Sequence, residues 1–318
     1  MSVYPFLLAT ASLAVADTKP VPVPDNWTLV WSDEFSGDTI DPARWGHDID
    51  CWGGGNDERQ CYTDDPANAF IQNGQLVIRA IRERVSGPAL PITQRRNALD
   101  HRRRTTRDYS SARLSTRGLA AWTYGRIEVR ARVPGGQGSW PAIWMLPEDE
   151  AYGGWAASGE IDIMEAVNLG VPCEVCLSGR EDKIHGTLHY GDAWPDNAHS
   201  GTSVAVPDAF LNFHTYAITW SETGMTWFVD GEAYARQTPE DWYTATEGGS
   251  QAAPFDQPFY LILNLAIGGA WPERENLGGV SDWGFPREMR VDWVRVYACE
   301  TEILADGRCE GTDNDTDE

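Results

Sequence analysis

Short runs of β-type residues, some wholly apolar and some alternating apolar with polar, recur between residues 27 and 297 and predict β-strands. The clearest fall at 75–81, 125–133, 143–146, 185–190, 213–220, 225–229, 259–267 and 290–297. Turn residues separate them. Asn73-Gly74 and Asp230-Gly231 are hairpin signals, because both central positions of the tight turn need positive φ. No long amphipathic helix interrupts the series. The pattern predicts an all-β fold, a sandwich of two antiparallel sheets of jelly-roll type.

One run carries unusual chemistry. Residues 160–165 read Glu-Ile-Asp-Ile-Met-Glu, three carboxylates inside a short apolar segment. Strict alternation puts Glu160 and Asp162 on one face, sends Met164 to join them and turns Glu165 away. A one-residue bulge around Ile163 and Met164 returns Glu165 to the side of the other two acids. On a helix the three would scatter around the axis, so the strand reading is preferred. Burying three acids on one face costs several kcal/mol unless they share protons or serve a ligand. Two carboxylates flanking a bond, with a third tuning them, are the equipment for glycoside hydrolysis.

Composition adds to this picture. The 318 residues can hold one large all-β domain, and 15 Trp exceed what a core needs. Surplus indoles suit the apolar faces of sugar rings. A net charge of -23 disfavours nucleic acid and anionic membranes as partners, and mildly disfavours a sulfated polysaccharide. Residues 1–16 contain a short apolar run ending Ala14-Val15-Ala16, which resembles a signal peptide and predicts secretion; 17–26, rich in proline, reads as a linker. No later stretch is long and apolar enough to span a membrane.

In an exported protein the six cysteines are expected in disulfides. Proximity pairs Cys51 with Cys61, Cys173 with Cys176 and Cys299 with Cys309, although sequence leaves all 15 connectivities open. Zinc is not expected, since the single CxxC has no second CxxC and no His spacing to complete a site. Six arginines between 95 and 107 lack periodicity and predict an exposed insertion loop whose guanidinium groups meet the acidic surface. Residues 299–318 read as an acidic tail, solvated after Cys309.

The segment 159–165 resembles the catalytic strand of glycoside hydrolase family 16, in its laminarinase branch of endo-β-1,3-glucanases. Five further segments agree in order: 31–35 (WSDEF), 138–146 (GSWPAIWML), 185–190 (HGTLHY), 264–272 (NLAIGGAWP) and 291–297 (VDWVRVY). The resemblance spans a catalytic domain of 27–298 and implies a concave substrate cleft. It implies Glu160 as nucleophile, Glu165 as general acid/base and Asp162 as their partner. For substrate binding it implies Trp140, Trp144 and Trp271 as stacking surfaces, with His189 and Asn68 as polar contacts. His185 shares the face of His189 by alternation. A structural calcium at Glu34, Gly74 and Asp292 is also implied, with no cofactor for catalysis. The expected substrate is a β-glucan, laminarin-type or mixed β-1,3/1,4, cut internally with retention by a monomeric enzyme. Two alternatives stand beside it: a galactan hydrolase (agarose or carrageenan) of the same fold, and a non-catalytic glucan-recognition protein.

Overall fold

The computed structural model describes residues 25–311; the expected signal peptide, most of the linker and the end of the acidic tail lie outside them. Seventeen strands are described. They are β1 (Trp27–Asp33), β2 (Gly46–His47), β3 (Gln60–Tyr62), β4 (Ala69–Gln72), β5 (Gln75–Pro88) and β6 (Arg104–Ser111). Then come β7 (Arg113–Ser115), β8 (Gly125–Arg132), β9 (Ser139–Pro147), β10 (Glu160–Glu165), β11 (Lys183–Tyr190) and β12 (Ala198–Ala205). The last are β13 (His214–Ser221), β14 (Gly224–Val229), β15 (Glu232–Gln237), β16 (Phe259–Ile267) and β17 (Arg287–Cys299). One short helix, α1 (Ala98–Arg102), sits between β5 and β6.

They form two sheets. The larger runs β15-β14-β13-β8-β17-β5-β6-β3, with β1 added to β17 and β4 to β5. The smaller runs β12-β11-β10-β9-β16-β7-β2. Pairing is antiparallel except between β3 and β6. This is the sandwich that the recurring short runs and turns predict. Both hairpin signals are used: Asn73-Gly74 and Asp230-Gly231 are two-residue turns with all four φ positive. The core lies between the sheets. Ile127, Val129 and Ala131 of β8 and Val291, Val294 and Val296 of β17 meet Ile143, Met145, Ile161, Leu261, Leu263 and Leu265 from the smaller sheet. Because these inward positions alternate, the intervening residues of β9, β10, β11 and β16 share the opposite face. That face carries the site.

The three local disulfides are formed, Cys51–Cys61, Cys173–Cys176 and Cys299–Cys309. The last lies beside Trp27 and Tyr297, so the start of the acidic tail is folded onto β1 and β17. The arginine-rich stretch also departs from expectation. Its last four residues begin strand β6, paired with β5, and three of its arginines serve the backbone. Arg95 donates to the carbonyls of Leu90 and Ile49, Arg104 to that of Ser86, and Arg107 to that of Cys51. An arginine that staples carbonyls gives no hydrophobic period to read, which is why the stretch passes for a loop. No described helix is long and apolar enough to cross a membrane.

Candidate active site

Strand β10 contains the bulge. Its register with β9 shifts between Asp162 and Met164, and its register with β11 between Asp162 and Glu165. Ile161, Ile163 and Met164 all enter the core, while Glu160, Asp162 and Glu165 share the outer face. The neighbouring strands set what surrounds them. Glu160 lies opposite His189, Asp162 between Thr187 and Trp144, and Glu165 between His185 and Ala142.

Each glutamate accepts one indole hydrogen bond. Trp155 Nε1 donates to Glu160 Oε2 at 2.6 Å, and Trp140 Nε1 donates to Glu165 Oε1 at 2.8 Å. His189 Nε2 stands 3.3 Å from Asp162 Oδ2 and 3.8 Å from Glu160 Oε1. Below Asp162, Trp227 Nε1 donates to its carbonyl at 2.8 Å and fixes the strand from the core side.

Burial dominates the electrostatics. It lifts Glu160 to about 7, with the Asp162 charge adding to it and His189 and the Trp155 bond opposing it. Glu165 is raised well above the usual carboxylate range, again by burial first and then by Asp162, against the Trp140 bond. For His189 burial works the other way, against the cation. The Asp162 hydrogen bond and the charges of Glu160, Asp162 and Glu165 outweigh it and raise the imidazole to about 9. Burial and mutual repulsion thus favour the protonated form of Glu165, the carboxylates favour the cation of His189, and Glu160 ionises at about 7.

The tryptophans flank these acids. Trp140 meets Trp271 edge to face at 5.4 Å, and His185 meets Trp271 at 4.9 Å, making one wall. Trp144, half-buried, lies on the cleft face beside Asp162. Its indole donates to Asn264 Oδ1 at 2.6 Å, and the Arg113 guanidinium covers its ring at 4.6 Å. Asn264 in turn donates to the Tyr62 hydroxyl, which donates to buried Glu58.

Asn68 corrects the sequence expectation. It is 1% exposed, takes a bond from Thr63 Oγ1, and gives both amide protons to the Arg79 carbonyl and Ser110 Oγ. A side chain so enclosed braces β5 and β6 and offers no proton to a sugar. Glu34, Gly74 and Asp292 are gathered by register, since β1 ends opposite Val294 and β5 begins beside Val291. Both carboxylates are engaged: Arg295 makes two bonds to Glu34, and Arg130 pairs with Asp292. Calcium at this corner would have to draw on backbone carbonyls or displace those guanidinium groups.

Sequence reasoning missed Trp155, Arg113 and His199. Trp155 follows Gly153-Gly154 five residues ahead of Glu160, and an aromatic in a glycine-bearing entry loop was the available signal. His199 reaches His189, ring to ring at 5.6 Å, only through the β11–β12 register, which no local pattern reveals.

Residues 89–295 match the family model described as glycosyl hydrolases family 16. The β-glucanase of Rhodothermus marinus is 43% identical over 279 residues, covering 86% of this chain and 85% of that protein. Glucan endo-1,3-beta-glucosidase A1 of Niallia circulans is 39% identical over 280 residues, and the match spans 85% of this chain but 37% of that longer protein. Among solved structures, the laminarinase from Rhodothermus marinus aligns with a TM-score of 0.69 at 41% identity, covering 87% of this chain and 98% of that one.

Proposed function

The chain belongs to glycosyl hydrolase family 16, and from that premise we propose that it is an endo-β-1,3-glucanase acting by retaining double displacement. The observation that carries this reading is the bulged strand β10, with three carboxylates on one face and a tryptophan donor on each glutamate. The names of these relatives, β-glucanase, glucan endo-1,3-beta-glucosidase and laminarinase, support the substrate class.

In this mechanism Glu160 attacks the anomeric carbon while Glu165 gives its proton to the leaving oxygen. Glu165 then takes a proton from water, which releases the sugar from Glu160. Asp162 divides its charge between tasks. It raises both glutamates, which keeps Glu165 protonated, and it holds the His189 cation that offsets the charge at Glu160. The carboxylates supply the chemistry, so no cofactor takes part. Trp140, Trp271 and Trp144 offer ring faces to successive glucose units, and a neutral polymer suits an acidic chain. Three disulfides fit an oxidising, extracellular setting.

Products from laminarin, lichenan, agarose and carrageenan test the substrate. Laminarin should be cut fastest, its first product should be the β-anomer by NMR, and Glu160→Gln should be inactive yet still bind glucan. Faster cleavage of either galactan would sink the substrate assignment, and an initial α-anomer would sink the mechanism.

A further inference from the structure

The two oxygens of Glu160 have different surroundings. Oε2 accepts the Trp155 indole N–H at 2.6 Å. Oε1 faces His189 Nε2 at 3.8 Å, beyond hydrogen-bond range. Among the described residues no other hydrogen bond reaches this carboxylate.

The donor is held from several sides. Trp194 N donates to the Trp155 carbonyl at 2.8 Å, Tyr152 N donates to Ser158 Oγ at 2.9 Å, and Gln257 ties the Ser158 carbonyl to the loop before β16. The Trp155 ring lies 5.7 Å from that of His189, and the residue is 42% exposed. An indole kept in place with so much surface open is not serving the core.

Resting on the reading of Glu160 as nucleophile, we propose that Trp155 is a positioning residue that engages one oxygen of Glu160 throughout turnover and thereby assigns the attack to the other. The step balances. A lone pair of Oε1 forms the bond to the anomeric carbon, the glycosidic C–O bond breaks, and its electron pair takes the Glu165 proton. Oε1 becomes the bridging oxygen of the ester. Oε2 becomes its carbonyl oxygen and keeps the indole N–H.

A carboxylate accepts more strongly than an ester carbonyl, so the N–H favours Glu160 as a leaving group in the second half of the cycle. It acts against attack and for release. Loss of the N–H should therefore slow deglycosylation and let the glycosyl-enzyme accumulate.

Two measurements test this. The first is the structure of the wild-type enzyme trapped with a 2-deoxy-2-fluoro β-1,3-glucosyl donor. The ester is expected through the oxygen remote from Trp155, with Nε1 still bonded to the other; an ester through the oxygen facing Trp155 overturns the proposal. An adduct on any residue but Glu160 overturns the underlying reading, and this proposal with it. The second is Trp155→Phe, with its melting temperature checked against wild type. Its kcat on laminarin should fall about ten- to a hundredfold, with a burst on activated aryl glycosides and an acid limb moved to higher pH. A rise in KM alone, with unchanged kcat and pH profile, would make Trp155 a stacking surface and nothing more.

Discussion

His189 shows how one side chain changes meaning with its neighbours. An isolated histidine on a strand is a modest polar residue. Here burial opposes its charge, and three carboxylates restore it, so that it titrates at about 9 instead of near its usual value. The cation is then a fixed counter-charge that keeps Glu160 from rising further. In His189→Ala the acid limb of kcat/KM should move up by about one pH unit from its position near 7, because Glu160 holds its proton longer. The pH profile of the variant on laminarin checks this, and an unmoved limb would show that His189 contributes only contacts.

At the level of elements, much of this was legible before any coordinates. Residues 259–267 are strand β16 to the residue, and 125–133 and 225–229 differ from β8 and β14 by one position at one end. Residues 125–133 alternate and 259–267 form a near-continuous apolar run bounded by turn residues, so local sequence and tertiary packing ask for the same thing. The bulge was legible too, because three acids on one strand had no other economical arrangement. What was not legible depended on long-range pairing. β12 is mostly exposed and has no apolar face to read, yet it brings His199 to His189. β2 and β7 are two and three residues long, and β7 begins with Arg113, the cover of Trp144. Asn68 failed for the opposite reason. Its type suits a sugar, and only its burial, contributed by β5 and β6, shows that its hydrogen bonds are already spent.

For the molecule as a whole, the site is a liability to folding. Glu160 and Glu165 are both raised above the value of 4.5 they hold when unfolded. Their contribution to stability is full below that pH and is lost as pH rises, through about 7 for Glu160. Glu160→Gln should therefore unfold at higher temperature than wild type at pH 8, by on the order of 1–3 kcal/mol, and the gain should shrink towards pH 4. Thermal unfolding across that range is the measurement, and a constant difference would mean that packing, not ionisation, is responsible. The bulge in β10 has a consequence of another kind, one of parity. Side chains on a strand are either odd or even, and the chemistry depends on a single uncounted residue between Asp162 and Glu165. Deleting Met164 restores even counting. It would leave the acid/base at an even position, so that Glu160, Asp162 and Glu165 still share the outer face of a now regular strand, beside His189 and the tryptophan walls. The expected product is therefore still a hydrolase, one that cuts laminarin without a bulge. If the deletion variant folds and retains laminarin in affinity electrophoresis but does not cut it, the bulge does more than set the side of Glu165. By this count, the bulged strand and a plain one are two spellings of one site.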